Sequence, residues 1–414
     1  SATIMASAYD WLGWTGIALL VVLALSLTFL IIAQRLQRWA SPVELAVALT
    51  AVALVLHPFS VARPMVLLWP MLALWTEGLL RAREQGRAPS WWLVPLMTLW
   101  INLHASFAVG LGIAALFGLE ALIESKDRLK VVISWGAFGL ACGVAALINP
   151  HGLAGVLMPL GAFTSSTITL INEFRPTDFT KMPTFEVALL LLIGVGFSRG
   201  ARLAPVRLFL LLAMLHLALA HMRHQALFII IAALIAAPAM TAAWIVGSPP
   251  APGLVDRIAG DRSRRPMVLA SIIGALALLA VVRAAWSVVP PESDVNPVQA
   301  FERITPEMRK QPVLNEYSMG GPLILRGMRV FMDGRTDVYG DDHFRAYRRI
   351  ISGEPVALAD AQQRWHFCWS IFPPENREMI AVLDRSAGWK RIYTDKFAII
   401  HVRAGCRASV ANVA

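Results

Sequence analysis

Apolar residues run in ten stretches between Leu12 and Val289, each broken by a polar turn. They cover about 12–33, 43–57, 61–80, 91–103, 106–123, 131–149, 184–198, 206–221, 225–246 and 267–289. A straight helical crossing of a bilayer takes about 20 residues, so the longer runs read as membrane helices. The runs 43–57, 91–103, 184–198 and 206–221 are short, as segments ending in a protein-lined cavity are. Runs 91–103 and 106–123 read as a hairpin turning at Asn102–Ser106, because basic clusters lie beyond both. After Val289 the pattern changes. Helical periodicity appears near Pro297–Ile304, Asp341–Ile351, Pro355–Trp365 and Arg377–Arg385. Strand-like runs fall at Pro312–Tyr317, Leu323–Leu325, Arg329–Met332, Phe367–Phe372 and Phe397–Val402. The expected fold is mainly α: a polytopic transmembrane bundle of about ten segments over residues 1–289, then a small α/β domain over 290–414.

The turns sort into two alternating sets. One is basic: Arg35/Arg38, Arg81/Arg83/Arg87, Lys126/Arg128/Lys130, Arg199/Arg202/Arg207 and Arg257/Arg262/Arg264/Arg265. The other holds most of the reactive groups: His57 and Arg63, Asn102 and His104, Asn149 and His151, Asn172 to Arg175 with Asp178, and His221 to His224. The positive-inside rule places the first set in the cytoplasm and the second outside. The same alternation puts the start of this chain and its last domain outside, so an upstream crossing is expected to precede Ser1. Glu77 and Arg283 lie within apolar runs but close enough to an interface to snorkel.

Composition agrees with a membrane chain. Mean hydropathy is +0.60, with 57% apolar and 15% charged residues, against roughly 25% charged in soluble domains. The net charge of +10 is absorbed by the fifteen cations of the basic turns, so nucleic acid is not an expected partner; the bilayer is. Cys368 and Cys406 lie in the polar tail, where an oxidising compartment allows a bridge and burial allows a free thiol.

Ionisable groups at a membrane boundary are expensive unless they face a cavity or a partner. The planar forks of Arg63, Arg175 and Arg223 suit bidentate contacts to phosphate. Glu173 and Asp178 are the carboxylates placed to act as general base, and they serve equally as salt-bridge partners of Arg175 or Arg223. Asn102, His104 and His151 are expected to line the cavity, although Asn149 to Gly152 also reads as a plain helix stop. His221 and His224 share a helical face, but no third ligand has suitable spacing, so a divalent metal has little support and no cofactor is implied. In the tail, Asp333, Arg335 and Asp337 alternate along an extended run ending at Tyr339. That run reads either as an ion pair fixing a turn or as a clamp for a headgroup or sugar.

Several motifs together carry a resemblance. These are Ala62-Arg63-Pro64, Leu99 to His104, Ile148 to Gly152, Asn172-Glu173-Phe174, Asn315 to Gly321, Val330 to Gly340 and Gly388 to Asp395. They resemble a broad group of bacterial polytopic membrane proteins placed with the GT-C-type, polyprenyl-phosphate-sugar-dependent glycosyltransferases. Met65 and Ala105 stand where that group more often has His and Gly, and Met319 where Trp is common. The resemblance implies an inner-membrane enzyme with a periplasmic C-terminal domain. It would move a sugar from a polyprenyl-phosphate donor to an envelope lipid, glycan or protein. Such enzymes place a catalytic acid in the first outer loop, upstream of the residues present here. Two other functions fit the pattern: a scaffold docking an envelope partner through its tail, and a lipid or anion transporter, which would favour ionisable groups at helix midpoints.

Overall fold

The structure, a computed structural model, describes residues 2–40, 42–164, 174–198, 200–242 and 290–406. The predicted tenth run 267–289, the linker 247–253 and the residues Asn172 and Glu173 lie outside the described residues. The described residues fall into two compact units, 2–242 and 290–406.

The first unit is helical. Its elements are α1 (Ala2–Leu36), α2 (Pro42–Leu56), α3 (Trp69–Glu84), α4 (Leu93–Leu103), α5 (Phe107–Glu124), α6 (Arg128–Ala146), α7 (Leu153–Thr164), α8 (Pro183–Ser198), α9 (Pro205–Ala220) and α10 (Gln225–Ala242). Four stretches are long and apolar enough to cross a membrane: Thr3–Leu36, Pro64–Glu84, Phe107–Glu124 and Arg128–Ala146. Prolines mark several starts, because the missing N–H costs nothing in a first turn: Pro42, Pro64, Pro183 and Pro205. α1 breaks at Gly13, whose φ of 57° is open to a residue without Cβ. The predicted turn after α4 is present: the helix ends at Leu103, His104 is extended, and α5 begins at Phe107. α7 was not expected, because Pro159 inside it reads as a helix breaker.

The helix α3 lies at the centre, with α1, α5 and α10 packed against it. The membrane-length stretch containing α3 is 72% buried, against 33% for the one containing α5 and 28% for α6. Trp75 knits the centre by donating to the Gly110 carbonyl at 2.8 Å and meeting Trp100 and Phe138 edge-on or tilted. Outer helices keep bare apolar faces, such as Leu140 on α6 and Phe197 on α8. Water would penalise so much exposed apolar surface, whereas lipid tails cover it at no cost.

The predicted snorkelling of Glu77 is corrected. Glu77 is buried, and its carboxylate meets the wholly buried Arg35 at 2.7 Å and Arg81 at 2.6 Å. Arg35 also reaches Glu84 at 2.6 Å and the Leu234 carbonyl at 2.7 Å. Arg207 and Arg83 flank the buried Glu120 at 2.8 Å and 3.6 Å, and Arg83 extends to Glu124. The basic turns are therefore not plain. Four glutamates at the helix ends tie α1, α3, α5, α9 and α10 into a charged cage of two ion-pair clusters, one on Glu77 and Glu84 and one on Glu120 and Glu124.

The second unit is α/β. After α11 (Val298–Glu302) and α12 (Pro306–Arg309) come β1 (Val313–Asn315), α13 (Gly320–Leu325), α14 (Thr336–Ile351), α15 (Pro355–Trp365), β2 (Trp369–Phe372), α16 (Arg377–Arg385), β3 (Trp389–Thr394) and β4 (Ile399–Arg403). The sheet order is β1-β2-β4-β3, with β1 and β2 parallel and the remaining pairs antiparallel. Its core holds Phe301, Met308, Trp369, Ile371 and Ile400, and the Trp369 indole donates to the Met308 carbonyl.

Three expectations for this unit are corrected. Leu323–Leu325 is helical, since a short apolar run fits either state and Pro322 suits a first turn. Arg329–Met332 makes only an isolated parallel bridge, Val330 to Val313. The supposed extended run from Asp333 to Asp337 becomes helical at Thr336, so the alternation ends there; the Asp337 side chain lies outside the described residues. The strand β3 was not expected, because its exposed Lys390 and Arg391 dilute the pattern at the sheet edge. Cys368 and Cys406 form a disulfide with Cα atoms 5.5 Å apart.

Candidate functional site

Four of the reactive turns meet at one end of the bundle. The segment 174–178 is pinned to the turn after α9 by backbone bonds: Met222 N–H donates to Arg175 O at 3.0 Å and Thr177 N–H to Leu219 O at 2.9 Å. The Thr177 hydroxyl adds a bond to Ala218 O at 2.6 Å, and the buried Gln225 amide donates to that hydroxyl at 2.9 Å. A ring nitrogen of His221, Nδ1, sits 2.8 Å from Phe174 O. The effect is to stand Arg223 over the Phe174 ring at 4.4 Å, with its Nη2 toward Met65 and 3.4 Å from His104 Nε2.

The last contact is informative. Ser106 N–H donates to His104 Nδ1 at 3.0 Å, so Nδ1 is an acceptor and a neutral ring carries its proton on Nε2. The ring is neutral: burial, then the charges of Arg223 and His224, push its pKa down to about 4. His104 Nε2–H and Arg223 Nη2–H are therefore two donors 3.4 Å apart, with no acceptor shared between them among the described residues. Burial, then the nearby Arg63 guanidinium, also lowers the Arg223 pKa, so a third positive group stands close by. Among the described residues Arg223 has no carboxylate partner. Two further buried ring nitrogens nearby, Trp69 Nε1 and His224 Nδ1, have no hydrogen-bond partner there. Trp69 lines a cavity of about 10 Å³ with Met65, Trp100 and Ser106. Converging donors without a carboxylate suit an oxyanion, and they can stabilise negative charge as it develops.

Other predicted site residues have local duties. Asn102 donates its amide to Thr98 O and Ile148 O at 2.8 Å and 2.7 Å, tying two turns together. Asn149 closes its own helix stop, and the His151 N–H donates to its Oδ1 while the His151 side chain is exposed. Asp178 accepts from the Thr180 hydroxyl and N–H, which with Lys181 hold its carboxyl below the usual range. Arg63 and Arg175 are exposed, and Glu173 lies outside the described residues. Met65, Ser106, Thr177 and Gln225 were missed. Of these, only Ser106, two residues beyond His104 in a tight turn, had a readable signal.

In the second unit, Asp333 is buried and accepts from Arg335 Nη2 at 2.6 Å, Arg335 N–H at 2.8 Å and the Tyr339 hydroxyl at 3.0 Å. Burial raises the Asp333 pKa, but these bonds outweigh it and hold the carboxyl below its ordinary range. Here the turn-fixing role is the one the contacts describe. No protein-family model matches the chain, and no curated protein matches it in sequence. The likeness to GT-C-type glycosyltransferases thus rests on the motifs alone.

Proposed function

We propose that this chain is a multi-pass protein of the bacterial inner membrane, with about ten crossings and an extracytoplasmic C-terminal unit. Four helices of spanning length and the alternating basic turns support the membrane placement, and the Cys368–Cys406 bridge favours an oxidising compartment for the tail. We further propose that the His104 end binds the phosphate of a polyprenyl-phosphate-linked sugar and transfers the sugar to an envelope lipid, glycan or protein. The observation that carries this reading is the pair of donors, His104 Nε2–H and Arg223 Nη2–H, converging with no acceptor among the described residues.

In the transfer, an acceptor hydroxyl oxygen bonds to the anomeric carbon as the bond from that carbon to the phosphate oxygen breaks. The leaving phosphate keeps the electron pair, and Arg223 and His104 stabilise its added charge. The acceptor proton passes to a base, for which Glu173 stands next to Phe174 in sequence. Asp178 is committed to its own turn and is the weaker choice. The test is transfer from labelled polyprenyl-phosphate sugars in membranes containing the protein or its Arg223→Gln variant. Loss of transfer at equal expression is expected; unchanged transfer would refute the assignment. The bonds of Asn102 and Thr177 across the turns favour a second reading, a scaffold, in which no donor supports transfer.

A further inference from the structure

The C-terminal unit gathers a separate set of polar groups. Val330 bridges Val313 in parallel, and β1 runs parallel to β2, so three chain segments point the same way. The turns that leave them place Met332 to Arg335, Glu316 with Tyr317, and Pro373 to Asn376 at one edge of the sheet. Ligands of open α/β sheets bind in the crevice at the carboxyl ends of such strands.

The three turns touch. Asn315 Oδ1 accepts from Phe331 N–H at 3.0 Å, and its amide donates to Met332 O at 2.8 Å, which locks the second turn to the first. Gly320 allows the close approach, since a Cβ there would overlap Met332 O and Asp333. Asn376 donates to Glu316 Oε2 at 2.5 Å, joining the third turn. Tyr317 N–H donates to the Tyr347 hydroxyl at 2.7 Å, and the Tyr317 hydroxyl lies beside Gly334. Tyr317, Glu316 and Asn376 are half-buried, while Ser318, Gly334 and Arg335 are open to solvent. The rim is thus held rigid from below and is accessible from above.

Its chemistry narrows the ligand. Arg335 is matched by Asp333, and Arg348 is close enough to act on Glu316, so no cation surplus exists for a phosphate. Among the described residues no three His, Cys, Asp or Glu side chains gather as metal ligands. A carboxyl, an amide, a phenol and a guanidinium on one rim both donate and accept, as hydroxyl groups require. Burial raises the Glu316 pKa despite the bonds from Asn376 and Tyr347. The Tyr317 ring, edge-on to Phe344 at 6.4 Å, is fixed enough to offer an apolar surface.

We propose that the C-terminal unit carries a saccharide-binding site of its own at the carboxyl ends of β1 and β2, built on Glu316, Tyr317, Arg335 and Asn376. It does not rest on the transfer reading. Saturation-transfer NMR on the full chain in lipid nanodiscs, free of glycoside detergents, tests it with chitobiose, maltose and mannobiose as probes. Transfer to at least one disaccharide is expected, with a loss of tenfold or more in apparent affinity for Glu316→Ala and a smaller loss for Tyr317→Phe. Lys130→Ala keeps the signal, since that exposed residue belongs to the helical unit. If Glu316→Ala fails to fold, Tyr317→Phe and Asn376→Ala decide. No transfer to any of the three sugars, equal transfer in the rim variants, or loss in Lys130→Ala overturns the proposal.

Discussion

At one end of the helical unit Arg35, Arg83 and Arg207 each face a carboxylate; at the other, Arg223 faces a histidine, a thioether and a phenyl ring. Both ends hold cations away from water, so desolvation is common to them and the difference lies in the partners. A buried cation matched by glutamates is electrically finished, and it holds helices in place. A half-buried cation beside a neutral N–H donor is unfinished, and on the proposed reading an incoming anion completes it. Transport by alternating access would need the matched cage to open, whereas binding at the unfinished end asks for no such rearrangement.

The comparison can be broken at the cage first. Replacing Arg35 by Met leaves Glu77 to Arg81 and Arg38, and Glu84 to Arg38 alone at 3.9 Å, and breaking a buried pair of this kind costs on the order of 3–5 kcal/mol. Arg35→Met should therefore lower the unfolding temperature of purified protein strongly; an unchanged melting curve would mean that the cage does not hold the helices. Arg223→Gln should do the reverse, with a melting curve close to wild type and transfer reduced by about 100-fold or more, the scale of losing one charge-stabilising donor.

A pH profile sharpens the contrast further. Because the folded-state pKa of His104 is lowered to about 4, its contribution to stability is full above the unfolded value of about 6.5. The contribution is lost progressively as pH falls from there toward 4. Transfer measured from pH 8 down to 5 should show no inflection from His104; a step near 6.5 that disappears in His104→Gln would contradict the neutral-donor assignment. The smallest effect is expected from Asp178→Asn, which alters an exposed turn and should leave transfer unchanged. A large loss there would return Asp178 to the catalytic role read from the sequence.

How far the sequence could be read depended on the range of each interaction. Helix ends were legible because Pro42, Pro183, Pro205 and the Asn149 to Gly152 stop act within a few residues. The gathering of His104, Phe174, Arg175 and Arg223 at one end followed from counting crossings. The cage was not legible: Glu77, Glu84, Glu120 and Glu124 look like stray charges at helix ends, and their arginine partners lie up to 87 residues away. Equally hidden was the tautomer of His104, which depends on a backbone N–H two residues on. In the second unit, the Pro355–Trp365 and Arg377–Arg385 helices match their expected limits, having strong periodicity. Short runs such as Leu323–Leu325 carry too few positions to separate strand from helix.

The bridge between Cys368 and Cys406 has a bearing on how the protein is made. One sulfur precedes β2 and the other follows β4, the last strand of the sheet, so the bond cannot close until β4 has been made. A thiol pair held in a reducing cytosol stays open. If the tail is exported as proposed, translocation must deliver the final strand before oxidation, and the order of manufacture is set: helices inserted, tail exported, sheet assembled, bond sealed.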